Sequence, residues 1–332
     1  TKLMEQSYPE LTAEEKAFIA GPVQKLCEMV TEWEVNQRRD LPPEAWDFIK
    51  KERFWGMIIP KEYGGLGFSA LAHSAILEMV ASRSVALCIT IMVPNSLGPA
   101  ELLNHYGTKA QKDHYLPRLA RGEEVPCFAL TEPHAGSDAA SIQSNGVVFK
   151  GDDGKLYLKL NWNKRWITLA AVSTVLGLAF RLKDPQNLLG KGEDPGITCA
   201  LIPTQTPGVD ISERHDPLGV PFYNCPTHGK DVIVPVDVII GGTENAGKGW
   251  QMLMECLAAG RGISLPAQAT AGAKYTARLA SNHSSLECRL DDSKGLRNHS
   301  LALPVLLISS KPVVAIRSAR LITTSSLPWS RR

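Results

Sequence analysis

The sequence predicts an α+β protein: a helical N-terminal region, a middle antiparallel β domain, and then helix again. Three observations carry this. Apolar residues recur at helical spacing from about residue 10 to 120. Short strand-like runs, broken by Gly, Pro and Asp, fill about residues 126 to 238. Helical spacing resumes at Gly247. Strands grouped together with no helical stretch between them favour an antiparallel sheet.

Each element has a local cause. Thr12-Ala13-Glu14-Glu15 fits a capping box, and Phe18, Val23, Leu26 and Val30 follow at helical spacing. Pro42-Pro43 opens a second helix with Trp46, Ile49 and Phe54 toward the core. Tyr63 to Gly67 is a glycine-rich turn. Thr108 to Gln111 is a second capping box, and Leu116-Pro117 is expected to limit its helix. Expected strands are Val147 to Lys150, Leu156 to Leu160, Val172 to Phe180, Ile197 to Ile202 and Asp231 to Val234. Trp250, Leu253, Met254 and Leu257 share a helical face, which Pro266 should kink or restart before the pattern fades near Ser281.

Composition bounds the function. The 332 residues are 44% hydrophobic and 21% charged, ordinary for a globular protein of two or more domains. No run of eighteen apolar residues spans a bilayer. The sequence begins at Thr1, as a fragment would, so an anchor or targeting signal would lie in a preceding segment. Seven scattered cysteines form no CxxC pair and no metal cluster, which points to reduced, mostly buried thiols and no metal. A net charge of +2 argues against nucleic acid. From Ser293 to Arg332 there are seven basic residues and no acid, which leaves the rest of the chain at about −5.

Two segments carry chemistry. In the first, Cys127 to Asp138, alternating apolar residues lead into a Pro-, Gly- and Ser-rich turn able to present backbone N–H groups to a polar ligand. On composition alone an ordinary strand and turn is the stronger reading. The second, Asn163 to Thr168, sets an aromatic and a β-branched residue beside a hydroxyl, which suits a strand that covers a flat ring. Trp166 as plain core is its ordinary alternative.

Together the segments read "TEPxAGSD" and "WIT", about thirty residues apart at the start of the β domain. In this the chain resembles the acyl-CoA dehydrogenase family, closest to the large bacterial type of fatty-acid β-oxidation. Tyr63 to Gly67, Tyr106-Gly107-Thr108, Tyr115-Leu116-Pro117, Gly247 to Trp250 and Gly260-Arg261-Gly262 extend the likeness over about residues 10 to 284. It implies an N-terminal helical domain at 1–124, a middle β domain at 125–242, the start of a C-terminal helical domain at 243–284, and an unrelated tail at 285–332.

The resemblance implies FAD as cofactor. Phe128, Leu130 and Thr131 would line the flavin ring, with Gly136 and Ser137 near flavin and substrate. Trp166, Ile167 and Thr168 would form the second wall, with Thr168 bonding near N5. Ser137 and Arg261 would meet the substrate, although Arg261 is equally well a surface arginine. The implied reaction is α,β-dehydrogenation of an acyl-CoA to a trans-2-enoyl-CoA. Electrons would pass to an electron-transfer flavoprotein, from a homo-oligomer in the cytoplasm or at the inner membrane.

The family's glutamate base lies beyond the point where the likeness stops. Glu132 belongs to the turn, and Glu255 and Glu287 have no matching context. The tail reads as a change of reading frame near residues 283 to 286, with a basic interaction arm as the rival. The expectation is a chain with bare apolar faces near Trp250 to Leu265, low solubility, weak FAD retention and no turnover. The competing functions are a non-catalytic flavin or acyl-CoA binding remnant and an acyl-CoA oxidase.

Overall fold

In the computed structural model, residues 9–96 and 98–283 are described. Thr12 caps α1 (Ala13–Phe18): its hydroxyl accepts from the Glu15 N–H, and the Glu15 carboxylate accepts from the Thr12 N–H at 2.8 Å. The same carboxylate accepts from Ser69 N at 2.7 Å, which ties α1 to a segment more than fifty residues on. Pro22 sits in a widened π-turn between α1 and α2 (Gln24–Met29). Then come α3 (Glu32–Arg38), α4 (Pro43–Lys51), α5 (Ala70–Ala81), α6 (Val85–Met92), α7 (Pro99–Tyr106) and α8 (Lys109–Arg121).

Thr108 and Gln111 form the second capping box. Gln111 does more than cap. Its amide donates to the carbonyls of Asp237 (3.0 Å) and Ile239 (2.7 Å) and its oxygen accepts from Gly241 N (2.9 Å), which bolts α8 to the end of the β region. Pro117 does not limit α8, which continues to Arg121 and ends at Gly122 in the left-handed region (φ +68°). Leu116, Leu119 and Ala120 are buried on both sides of the proline, so packing carries the helix across one missing hydrogen bond.

The sheet contains β1 (Pro126–Ala129), β2 (Asn145–Lys150), β3 (Leu156–Thr168), β4 (Val175–Lys183), β5 (Gly196–Pro203), β6 (Val209–Ile211) and β7 (Asn224–Pro235), in the path β1-β4-β2-β3-β7-β6, with β5 on the other edge of β4. Four pairings are antiparallel, as expected. The pairings β1–β4 and β2–β4 are parallel, a departure from the expected purely antiparallel domain. Its cause is the connection: β1 and β2 both run along one edge of β4, joined by the excursion that carries the first motif.

Both faces of the sheet are covered at β4 and β5, whereas β3 and β7 alternate buried and exposed residues and leave one face open. On β4, Leu176, Leu178 and Phe180 enter a large cluster with α2, α4, α5 and α6, while Val175 and Ala179 enter a second cluster with α7, α8 and the start of α9. The last helix, α9 (Gly249–His283), passes through Pro266 as one element. The apolar face expected to lie bare is largely covered, since Met252, Leu253, Cys256 and Ile263 are buried. Exposed apolar groups lie further on, at Leu265, Tyr275 and Leu279. Among the described residues no helix is long and apolar enough to cross a membrane, no metal-ligand cluster occurs, and six cysteines are free and buried. The tail at 285–332, the proposed frame change, Glu287 and Cys288 lie outside the described residues.

Candidate functional site

The first segment leaves the sheet after β1 and is fastened to β3 within three residues. Lys164 Nζ donates to the Leu130 carbonyl (3.0 Å) and to Glu132 Oε1 (2.8 Å). Arg165 N donates to the Thr131 carbonyl at 2.9 Å. The two motifs are therefore neighbours, with Thr131 one residue from Trp166 across the seam.

The fastening is a buried ion pair. Lys164 is 0% exposed and Glu132 7%. Besides Lys164, the Glu132 carboxylate accepts from Gln143 N (2.7 Å), Ser144 N (3.0 Å) and Ser144 Oγ (2.5 Å). Burial raises the pKa of Glu132, but the Gln143 N–H, the Lys164 ammonium and the Ser144 hydroxyl outweigh it and hold the carboxyl below its ordinary value. Burial pulls Lys164 down to about 8 against the pull of Glu132, so both partners are charged at neutral pH. Three donors meet Oε1 and one meets Oε2, so the buried Glu132 carboxylate is fixed within the fold and not presented to a ligand.

Beyond the Glu132–Ala135 backbone bridge, Gly136 and Ser137 stand exposed. A Cβ at Gly136 would meet nothing within 4 Å, so that turn opens onto free space. Phe128 is positioned differently. It pairs with Gly177 on β4, where a Cβ would fall 2.5 Å from its ring. Gly177 thus makes room for a half-buried phenyl ring, and Leu130 lies half-buried on the same side, against the second apolar cluster.

The second segment owes its shape to Pro226. On β3 the register steps from Lys164 opposite Thr227 to Ile167 opposite Cys225, leaving Arg165 and Trp166 facing Pro226 alone. A proline cannot donate to the ladder, and the partner strand bulges there. Trp166 takes a left-handed conformation (φ 61°) and its indole stands 51% exposed. His215 lies against it with ring centroids 4.2 Å apart, and the Arg165 guanidinium lies 5.4 Å from the ring. Ile167, also expected to bind cofactor, is 2% exposed in the core and offers a ligand only its backbone. Thr168 Oγ1 accepts from Asn224 Nδ2 at 3.2 Å.

Leu130, Thr131, Trp166 and Thr168 therefore gather at one seam, with Phe128 just behind. Gly136 and Ser137 lie past the next turn. Arg261 is exposed on α9 and its side chain forms no hydrogen bond or ion pair among the described residues, so nothing joins it to the seam. An open groove of about 410 Å³ flanks the same loop, lined by His134, Gln143, Asn145, Asn161 and Asn163 among others, and includes none of the expected site residues. Glu132, Lys164, His215 and Asn224 are the structural participants that motif reading missed. Pro226 was a legible sign of the bulge; nothing local marks His215 or Asn224.

What the seam offers is a half-exposed indole, a phenyl ring and an isobutyl group, with polar atoms to spare. The hydroxyls of Thr131 and Ser137 make no hydrogen bond among the described residues. This combination suits a flat, polar-edged aromatic group. The chain belongs to the acyl-CoA dehydrogenase family, a family of oxidoreductases: the family's N-terminal domain matches residues 13–123 and its middle domain residues 127–232. Among relatives, protein HemX of Proteus mirabilis is 61% identical over 99 residues, 30% of this chain and 58% of that protein. The "probable acyl-CoA dehydrogenase FadE10" of Mycobacterium tuberculosis is 33% identical over 247 residues, 74% of this chain and 36% of that one. The chain thus spans less than two thirds of the length of either relative. Butyryl-CoA dehydrogenase from Megasphaera elsdenii shares the fold at a TM-score of 0.81 and 22% identity, over 97% of this chain and 82% of that one. An acyl-CoA dehydrogenase from Bacillus anthracis, solved in complex with FAD, superposes at 0.77 and 20% identity, over 98% and 54%.

Proposed function

We propose that this chain carries the flavin-facing half of an FAD-dependent fatty acyl-CoA dehydrogenase, with its product a trans-2-enoyl-CoA and its electrons destined for an electron-transfer flavoprotein. The observation that carries the reading is the seam itself: Arg165 N on the Thr131 carbonyl, with an exposed indole on one side and unspent hydroxyls on the other. When bound, FAD would supply the acceptor for a hydride from the acyl β-carbon. The residues would supply the rest. Phe128, Leu130 and Trp166 give apolar contact to a ring, and Thr131 and Thr168 present hydroxyls at its polar edge. Donors fixed in advance stabilise the electron density a flavin gains on reduction. Gly136 and Ser137, open to solvent, would offer an approaching substrate backbone N–H and hydroxyl groups.

This chain is expected to bind flavin and acyl-CoA without turnover. Glu132, the carboxylate built into the seam, is buried and held by Lys164, Ser144 and Gln143, so it is not presented to a substrate's α-proton. A general base has to reach the proton it removes. The test is anaerobic: purified chain is loaded with FAD and long-chain acyl-CoA is added. Retained flavin whose spectrum shifts without bleaching fits the reading. Bleaching by acyl-CoA would refute the expected lack of turnover, and failure to hold any FAD would refute the flavin site.

A further inference from the structure

His215 and Asn224 stand at the strand wall, outside both motifs. Their geometry is directional. Asn224 is 4% exposed, so its amide finds its partners inside the protein. Its Nδ2 donates to Thr168 Oγ1 at 3.2 Å, and its Oδ1 faces His215 Nδ1 at 3.0 Å. With the amide in this orientation its oxygen accepts, which assigns the His215 proton to Nδ1. Thr168, having accepted from Asn224, keeps its own proton for another partner, and among the described residues it has none. We propose that His215, Asn224 and Thr168 form a one-way hydrogen-bond relay that holds the Thr168 hydroxyl as a donor toward the flavin position. This rests on the flavin reading above and deepens it.

The opposite polarity is chemically simple, which makes the relay informative. Were the amide turned over, its oxygen would take the Thr168 proton and its nitrogen would donate to a bare His215 Nδ1. The seam would then lose its donor at the polar edge. The two polarities leave opposite tautomers on His215, whose place is fixed by its neighbours. Its backbone N–H donates to the Asn224 carbonyl at 2.7 Å, and its ring lies on the Trp166 indole. Its loop is anchored to the helical region: Arg214 Nη1 donates to the Arg39 carbonyl at 2.7 Å, and Arg39 bonds Asp216 and, at 2.9 Å, the Gly219 carbonyl. One imidazole thus braces the indole and sets the direction of the hydroxyl. His215 and Asn224 are positioning residues acting through Trp166 and Thr168.

Two measurements on the full chain decide it. Imidazole ¹⁵N NMR, with the His215 signal assigned by its loss in His215→Phe, reads the tautomer with or without flavin. A protonated Nδ1 supports the relay; a bare Nδ1 with its proton on Nε2 overturns it. The second is a double-mutant cycle on FAD affinity. His215→Phe keeps a ring against the indole but removes the Nδ1 donor. Thr168→Val should weaken FAD binding about tenfold, the size of one hydrogen bond. His215→Phe should weaken it by about threefold or more in the parent and by less than about twofold beside Thr168→Val. Equal losses in both backgrounds would mean that His215 acts by some route other than Thr168, and would sink the relay. A chain that takes up no FAD sinks the functional reading instead, and the tautomer still decides the relay.

Discussion

The two walls of the seam are held by opposite means. The loop wall, residues 130–144, is fastened from inside by Lys164 and Glu132, both buried and charged. The strand wall, Trp166 to Thr168, is held near the surface by an aromatic contact and a neutral amide. A buried ion pair gains little net stability when complete but is costly to break in half, because the survivor keeps its charge in a dry site. A neutral contact at a half-exposed position costs little either way. The difference teaches where each property resides: the fold depends on the loop wall, whereas a ligand would feel the strand wall.

The largest expected effect breaks the loop wall. Lys164→Met or Glu132→Gln alone should cost about 3–5 kcal/mol in urea denaturation. The double variant should recover much of that loss, since no unpaired charge remains. Additive losses would show that the pair is not the fastening.

Acid should separate the loop wall from the helical region in two stages. His73 on α5 is buried, its Nε2 is unpartnered, and burial lowers its pKa from 6.5 to about 4. Its folded form resists protonation, so the stability it protects is complete above pH 6.5 and falls as pH drops toward 4, by roughly 3 kcal/mol in all. Glu132 is held below its ordinary value of 4.5, so its contribution is complete above 4.5 and is lost as pH falls through the folded value. His73→Leu should abolish the first stage and leave the second. A first stage that survives the substitution would assign it elsewhere.

The smallest effect on stability should come from the strand wall. Trp166→Ala should stay within about 0.5 kcal/mol of the parent, as its indole is half exposed. A loss comparable to that of Lys164→Met would erase the contrast between the walls.

Much of this was legible in the sequence, for local reasons. Both capping boxes formed where Thr12 and Thr108 stand, because a cap is settled within four residues. The motif residues Leu130, Thr131, Trp166 and Thr168 fell at one seam. What the sequence concealed was long-range. Pro117 and Pro266 look like helix breaks, but neighbours buried on both sides carry each helix through. Glu132 reads as a turn residue until Lys164, 32 positions on, supplies its counter-charge. Asn224 reaches Thr168 across 56 positions, and no periodicity could have paired them.

The measurement closest to the centre is an equilibrium titration of the purified chain with FAD, beside Trp166→Ala and Thr168→Val. One flavin per chain, with tryptophan emission quenched in the parent and affinity reduced about tenfold or more in each variant, is the expected result. Undiminished binding by both variants, or no saturable binding by the parent, would contradict a flavin held between Thr131 and Trp166.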